Sequence, residues 1–195
     1  MVELKSRKEK NKDRIVRTAV ELFQAHGFKK VSINDIADRA DVSPVTVYNH
    51  FGNKDELIRD AIKTISHDLL ERIRAVVHSD RPFLEKLDTI IFDKAEIASR
   101  FRGELMQSVI QNDPEIRKFA EELKFNEVNS LMFDLFEEGK REGYISGEFS
   151  TEALLLYCEI LRRGIFAVDD LTDRIQDDPD ITRQIIAIAT YGLNG

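Results

Sequence analysis

An all-α fold is predicted for this chain by three observations. Apolar residues recur at helical spacing along most of the 195 residues. No stretch alternates apolar and polar residues between hairpin signals. All four prolines stand one or two residues after a Ser or Asp, the cap-then-proline order that opens a helix, because the N–H that proline lacks has no partner in a first helical turn. The composition agrees. With 42% hydrophobic and 33% charged residues and only 9 Gly, the chain can bury a core and is neither low-complexity nor disordered. About nine helices are expected.

From about Asn11 to His26, residues Ile15, Val16, Ala19, Leu22 and Phe23 form one helical stripe, and Gly27 supplies a stop. Ser32, with Asp35 three residues on, caps a second helix lined by Ile33, Ile36, Ala37 and Ala40. Ala40-Asp41-Val42 is a short turn. Ser43 and Pro44 open a third helix, in which Val47 and Phe51 share a face and Val45, Thr46, Tyr48, Asn49 and His50 point elsewhere. Asn53 and Glu56 start a fourth, with an apolar stripe of Leu57, Ile58, Ala61, Ile62, Ile65, Leu69, Ile73 and Val76. Running from Lys54 to His78, it spans roughly 37 Å, enough to leave one domain and enter another. Further helices are expected near 82–99, 102–110 and 114–141, with Gly139, Gly143 and Gly147 punctuating a loop, then from Ser150 to about Val168 and from Pro179 through Tyr191.

Charge is polarised along this order. Residues 1–54 hold 11 Lys and Arg against 7 acids, +4, whereas the remainder carries −11 of the overall −7. A protein that coats nucleic acid over its whole surface is excluded, but a local basic site is not. Lys5 to Lys10, taken alone, reads as a solvated tail. The single Cys158 rules out multi-cysteine metal frameworks and an internal disulfide. None of the four histidines has another at i+3 or i+4, and no glycine-rich phosphate loop occurs. No catalytic residue, metal or cofactor is therefore expected. The charged N-terminus and the absence of a long apolar run point to a soluble cytoplasmic protein without a membrane partner.

Three short helices, the last two joined by a tight turn, are the arrangement that places a recognition helix in a DNA major groove. Val45, Thr46 and Asn49 suit thymine methyl groups and adenine edges; Tyr48, His50 and Lys54 offer donors to phosphates. The N-terminus of the fourth helix favours an anion too.

The run VSINDIADRADVSPVTVYNHFGNKDELI resembles the helix-turn-helix signature of the TetR family of bacterial transcriptional regulators, carried here by Ser43, Thr46, Tyr48, His50, Phe51 and Lys54. The resemblance covers roughly residues 10–65. It implies an N-terminal DNA-binding domain over 1–53, extending into the helix that starts at 54, and a regulatory domain over 54–195 for ligand binding and dimerisation. It also implies a homodimer on a palindromic duplex operator, with a small-molecule effector. Carried over by position, Thr46, Tyr48, His50 and Lys54 contact phosphates while Val45 and Asn49 reach bases. Many members have Gly where Val45 stands, so operator preference does not transfer.

In the second domain, Phe83, Leu87, Ile90, Phe101, Leu105, Met106, Val109, Phe125 and Leu131 are candidate linings of an apolar pocket, with Arg100, Arg102, Gln107 and Asn126 as polar anchors. The helix from Thr151 is apolar on more than one face. Either a second subunit or the monomer's own core covers the extra face. For the dimer, Leu155, Tyr157, Leu161 and Ile165 join Ile181, Ile185 and Ile188 of the last helix; Cys158 is a core or interface residue. A repressor released by an apolar ligand is the expected function. The alternative is a DNA-binding protein whose C-terminal domain senses a protein partner or nothing.

Overall fold

Local capping decides where most helices begin. The computed structural model describes residues 6–90 and 112–167, residues 161–167 by backbone alone, and the helical positions 184 and 188. Its helices are α1 (Arg7–His26), α2 (Ile33–Arg39), α3 (Pro44–Phe51), α4 (Lys54–Val77), α5 (Pro114–Leu123), α6 (Asn129–Arg141) and α7 (Thr151–Ala167). A π-helical turn, Lys124–Val128, joins α5 to α6, and residues 83–90 are helical too. The described residues contain no strand. The fold is all-α, as expected. The expected helix at 102–110 lies outside the described residues, as does the last helix apart from positions 184 and 188.

The first helix starts four residues earlier than its apolar stripe suggested. The Ser6 hydroxyl accepts from the Glu9 N–H at 3.2 Å, and the Ser6 N–H donates to the Glu9 carboxylate at 2.7 Å. This reciprocal pair satisfies two N–H groups that a bare helix end leaves open. Residues 7–10, expected to belong to a solvated tail, are thus helical. At the other end, the Gly27 N–H bonds Phe23 O at 2.8 Å with φ 80°, a left-handed value that glycine adopts without penalty.

The described residues fall into two compact units. One holds those up to Ala75 and from 112 to Phe125; the other holds those from Val76 to 90 and from Asn126 onward. The core of the first is Ile15, Val16, Ala19 and Phe23 of α1, Phe28 in the turn that follows, Ile36 and Ala37 of α2, Val47 and Phe51 of α3, and Leu57, Ala61 and Ile62 of α4. The rings of Phe23 and Phe28 meet at 5.0 Å, tilted by 50°. The second centres on Phe83, Ile90, Leu131, Leu135 and Phe136.

Helix α4 departs from its expected stripe in its distal half. Leu57, Ala61, Ile62 and Ile65 are buried as expected, but Leu70 and Val77 are buried in place of Leu69 and Val76. At about 100° per residue the buried faces of the two halves differ by about a third of a turn, so no single stripe describes the helix.

The expected helix over 114–141 is interrupted. Ile116 is the buried residue of α5, and after the π turn Leu131, Leu135, Phe136 and Gly139 form the buried stripe of α6. Gly139 lies inside α6 rather than in a loop. Helix α6 ends in a Schellman motif: the Tyr144 N–H bonds Gly139 O at 2.9 Å and the Gly143 N–H bonds Lys140 O at 3.2 Å, with Gly143 at φ 81°.

Candidate nucleic-acid interface

Helix α3 is short, and its two ends are fixed by side chain and glycine. The Ser43 hydroxyl accepts from the Thr46 N–H at 3.1 Å and lies 2.9 Å from the Thr46 hydroxyl. Gly52, at φ 76°, ends the helix with its N–H on Tyr48 O at 2.8 Å. The preceding turn holds Asp41 at φ 52°, a left-handed position that Asp tolerates better than most side chains. Helix α2 is capped reciprocally by Ser32 and Asp35. Hydrogen bonds from the Ser32 hydroxyl and then its N–H, both at 2.7 Å, hold the Asp35 carboxyl below the usual range; His26 and Lys54 contribute smaller charge effects against a burial penalty.

Two residues of α3 bury it and the rest are presented. Val47 is fully buried and Phe51 nearly so. Val45 is 65% exposed and Tyr48 51%, while Asn49 is exposed and Thr46 and His50 are half-buried. An exposed valine beside an exposed amide gives an outward face able to meet a thymine methyl group and a base edge. Lys54 is half-buried on the first turn of α4. That turn is capped by Asn53, whose side-chain oxygen accepts from the Glu56 N–H at 2.9 Å.

Helix α1 braces this assembly. Lys12 pairs with Asp60 at 2.7 Å and lies 5.6 Å from the centre of the Phe51 ring. Arg17 reaches Asp68 at 3.4 Å. On the far side of α4, the Arg59 Nε donates to Asp113 at 2.7 Å, and the guanidinium also meets Glu56 and, at 3.7 Å, Glu115. Asp113 in turn caps α5 by accepting from the Glu115 and Ile116 N–H groups at 2.9 and 3.1 Å. Burial opposes ionisation of Asp113 most strongly, yet the hydrogen bonds from Arg59 and these N–H groups, with the Arg59 charge, keep its carboxyl below the usual range.

The profile of the bacterial regulatory proteins of the tetR family matches residues 15–61, the segment that folds into α1, α2, α3 and the start of α4. That segment resembles the DNA-binding part of TetR-family regulators. The chain is 23% identical over 145 residues to the transcriptional repressor KstR2 of Mycobacterium tuberculosis, covering 71% of this chain and 70% of that one. It is 39% identical over 51 residues to the probable acrEF/envCD operon repressor of Escherichia coli, covering 26% and 23%. Among solved structures, FadR of Bacillus subtilis in complex with stearoyl-CoA superposes with a TM-score of 0.62 at 18% identity, covering 93% of this chain and 98% of that one. FadR of Thermus thermophilus in complex with lauroyl-CoA gives 0.54 at 21%, covering 93% and 94%. These two likenesses establish a shared fold. KstR2 and the acrEF/envCD protein are both repressors by name.

The candidate ligand and dimer residues have mixed placements. Phe83, Ile90 and Leu131 are buried together in the second unit and Leu87 is half-buried. Phe125 does not join them: it is 78% exposed. It follows the buried Ile116 by nine residues, two and a half turns, which puts it on the opposite face. Asn126 is exposed as well. Phe101, Leu105, Met106, Val109, Arg100, Arg102 and Gln107 lie outside the described residues. On α7, Tyr157 is 44% exposed and Leu155 half-buried, whereas Leu156 and Ile160, which the sequence pattern did not single out for the dimer, are about 60% exposed. Cys158 is exposed, not in the core of its chain. Ile188 is exposed; Ile181 and Ile185, like the side chains of Leu161 and Ile165, fall outside the described residues.

Sequence reasoning missed Lys86, a buried cation in the second unit. Its ammonium donates to both Glu138 oxygens at 2.6 and 2.8 Å and to Val77 O at 2.9 Å. It therefore satisfies a carbonyl in the last turn of α4 while pairing with α6. Among the described residues, no helix is long and apolar enough to cross a membrane, and no cluster of potential metal ligands occurs.

Proposed function

We propose that the chain is a homodimeric repressor that reads a palindromic operator with α3 and is released by a small, largely apolar ligand. The observation that carries the DNA half is the division of α3: Val47 and Phe51 anchor it, and Val45, Tyr48 and Asn49 face outward. In this reading Val45 and Asn49 address bases. Thr46, Tyr48, His50 and Lys54 hold phosphates, and Ser43 acts chiefly as the cap that orients the helix. Residues 1–53 form the reader, continued by the first turns of α4, and residues 54–195 serve ligand binding and dimerisation.

The exposed face of Leu156, Tyr157 and Ile160 on α7 supports pairing of two copies. Phe83, Leu87, Ile90 and Leu131 supply an apolar environment suited to an aliphatic ligand, and the acyl-CoA complexes of the two FadR structures make a long-chain acyl thioester the first ligand to try. Release is a population shift. Two recognition helices engage successive major grooves ~34–36 Å apart, and α4 carries a displacement from Val77 to Lys54. A ligand acts only by binding the operator-incompetent state more tightly than the competent one.

The test is fluorescence anisotropy of full-length protein with a duplex selected from a randomised library, titrated with stearoyl-CoA. Selective binding that falls as the ligand saturates the protein supports the reading. Absence of any sequence preference would reject the DNA half, and ligand binding without loss of operator affinity would reject release by this ligand. Within the same assay, Lys54→Ala is expected to weaken all duplexes alike and Asn49→Ala to change base preference.

A further inference from the structure

The first two turns of α1 stand ahead of its buried face. Ile15 is its first buried residue, so Arg7 precedes it by eight positions, roughly 12 Å of helix. The Ser6–Glu9 capping box fixes the start of this arm and occupies the carboxylate of Glu9. Arg7, Lys8, Lys10 and Arg14 are all exposed on it.

Two contacts give the direction of the arm. Lys12 meets Asp60 and Arg17 meets Asp68. Advancing five residues along α1 advances eight along α4, so the two helices run the same way. Lys8 lies one turn before Lys12 on the same side of α1. It is therefore level with the first turn of α4, where Lys54 stands, and Lys12 itself rests against the Phe51 ring at the end of α3. Lys8 thus continues the edge formed by the end of α3 and the start of α4, while Arg7 and Lys10 stand about 100° and 160° round the same helical end from it.

We propose that this helical arm is a second DNA contact, in which Arg7, Lys8 and Lys10 bind backbone phosphates flanking the bases addressed by α3. The proposal rests on the DNA-binding reading above. It adds affinity without sequence information, because phosphates look alike at every step. An arm already ordered by its cap loses less freedom on binding than a disordered basic tail. Each phosphate so neutralised releases a counterion and steepens the salt dependence by about 0.9 in slope.

The experiment compares wild type with the triple variant Arg7→Ala, Lys8→Ala, Lys10→Ala in the full chain. Alanine is the best helix former, so the arm should stay helical, which circular dichroism checks. A second triple variant, Arg117→Ala, Lys118→Ala, Arg141→Ala, removes the same charge from exposed positions elsewhere. Affinity is measured against potassium chloride concentration on the selected duplex and on a scrambled duplex of the same composition. The arm variant is expected to lose affinity by a similar factor on both, with a slope smaller by about 0.9 for each phosphate no longer neutralised, while the second variant keeps the wild-type slope. An unchanged slope in the arm variant, or an equal change in both variants, overturns the arm while leaving α3 as the reader. Wild-type protein that binds neither duplex overturns the DNA reading and the arm together.

Discussion

Gly139 shows how a single hydrogen atom fixes the packing of the second unit. A β-carbon there would stand 2.7 Å from the Phe83 ring and 2.9 Å from Ile145 Cδ1, and that ring is buried and stacked on Tyr144 at 5.4 Å. Alanine in place of glycine gains about 1 kcal/mol of helix propensity, but overpacking a tight core costs about 1–3 kcal/mol. Gly139→Ala is expected to lower stability by up to about 2 kcal/mol in urea unfolding; a rise would mean that the ring moves aside freely. At Lys86 the stakes are higher. Removing one member of a buried ion pair typically costs about 3–5 kcal/mol, whereas replacing both with apolar groups can be neutral. Lys86→Met should therefore be strongly destabilising, and adding Glu138→Leu should restore much of the loss. A double variant no better than the single one would show that leaving the Val77 carbonyl without its donor costs more than breaking the ion pair. Amphipathic periodicity hid this residue, because a lysine within a helical pattern is ordinarily assigned to solvent.

The helices differ in how far their bounds could be read from sequence. Caps are local: Ser32 with Asp35 and Ser43 with Pro44 were legible because donor and acceptor lie within one turn. The same signal, Ser6 with Glu9, was present at the start of α1, but the apolar stripe begins later and the dense charge resembled a tail. The buried face of distal α4 and the outward turn of Phe125 depend on packing partners far along the chain, which local spacing does not encode. Arg59 with Asp113 is a link of that kind and has a pH signature. Because the folded Asp113 carboxyl titrates below the usual range, its contribution to stability is fully present above the unfolded value, about 3.9, and is lost as pH falls through the folded one. Asp113→Asn keeps a cap but loses the ion pair. It should be less stable than wild type at pH 7, and the gap in melting temperature should narrow below about pH 4. A gap that widens with acid would reverse the assignment. Glu137, held low first by the Thr151 hydroxyl and then by Lys140, ties α6 to the start of α7 and adds to the same acid limb.

Across the whole chain, sequence charge described the larger part and concealed the smaller. The +4 of residues 1–54 sits beside −11 elsewhere, so non-specific DNA is attracted to one region and repelled by the rest. Binding to scrambled duplex should accordingly be weak and fall steeply with salt. The exposed α7 face makes a second expectation at this scale: light scattering at micromolar concentration should report a dimer, and Leu156→Glu with Ile160→Glu should shift it to monomer with the helix content retained. A monomeric wild type would leave that face to another partner.

Helix α4 buries Leu57 and Ala61 on one side and Leu70, Ile73 and Val77 on another, about a third of a turn around. A helix seated on two faces resists rotation about its own axis, because a turn that unseats one face unseats the other. Leu70→Ala, which removes a buried side chain from the distal face alone, should lower stability by about 2–5 kcal/mol in urea unfolding. A loss below about 1 kcal/mol would mean that the distal face carries little of the packing.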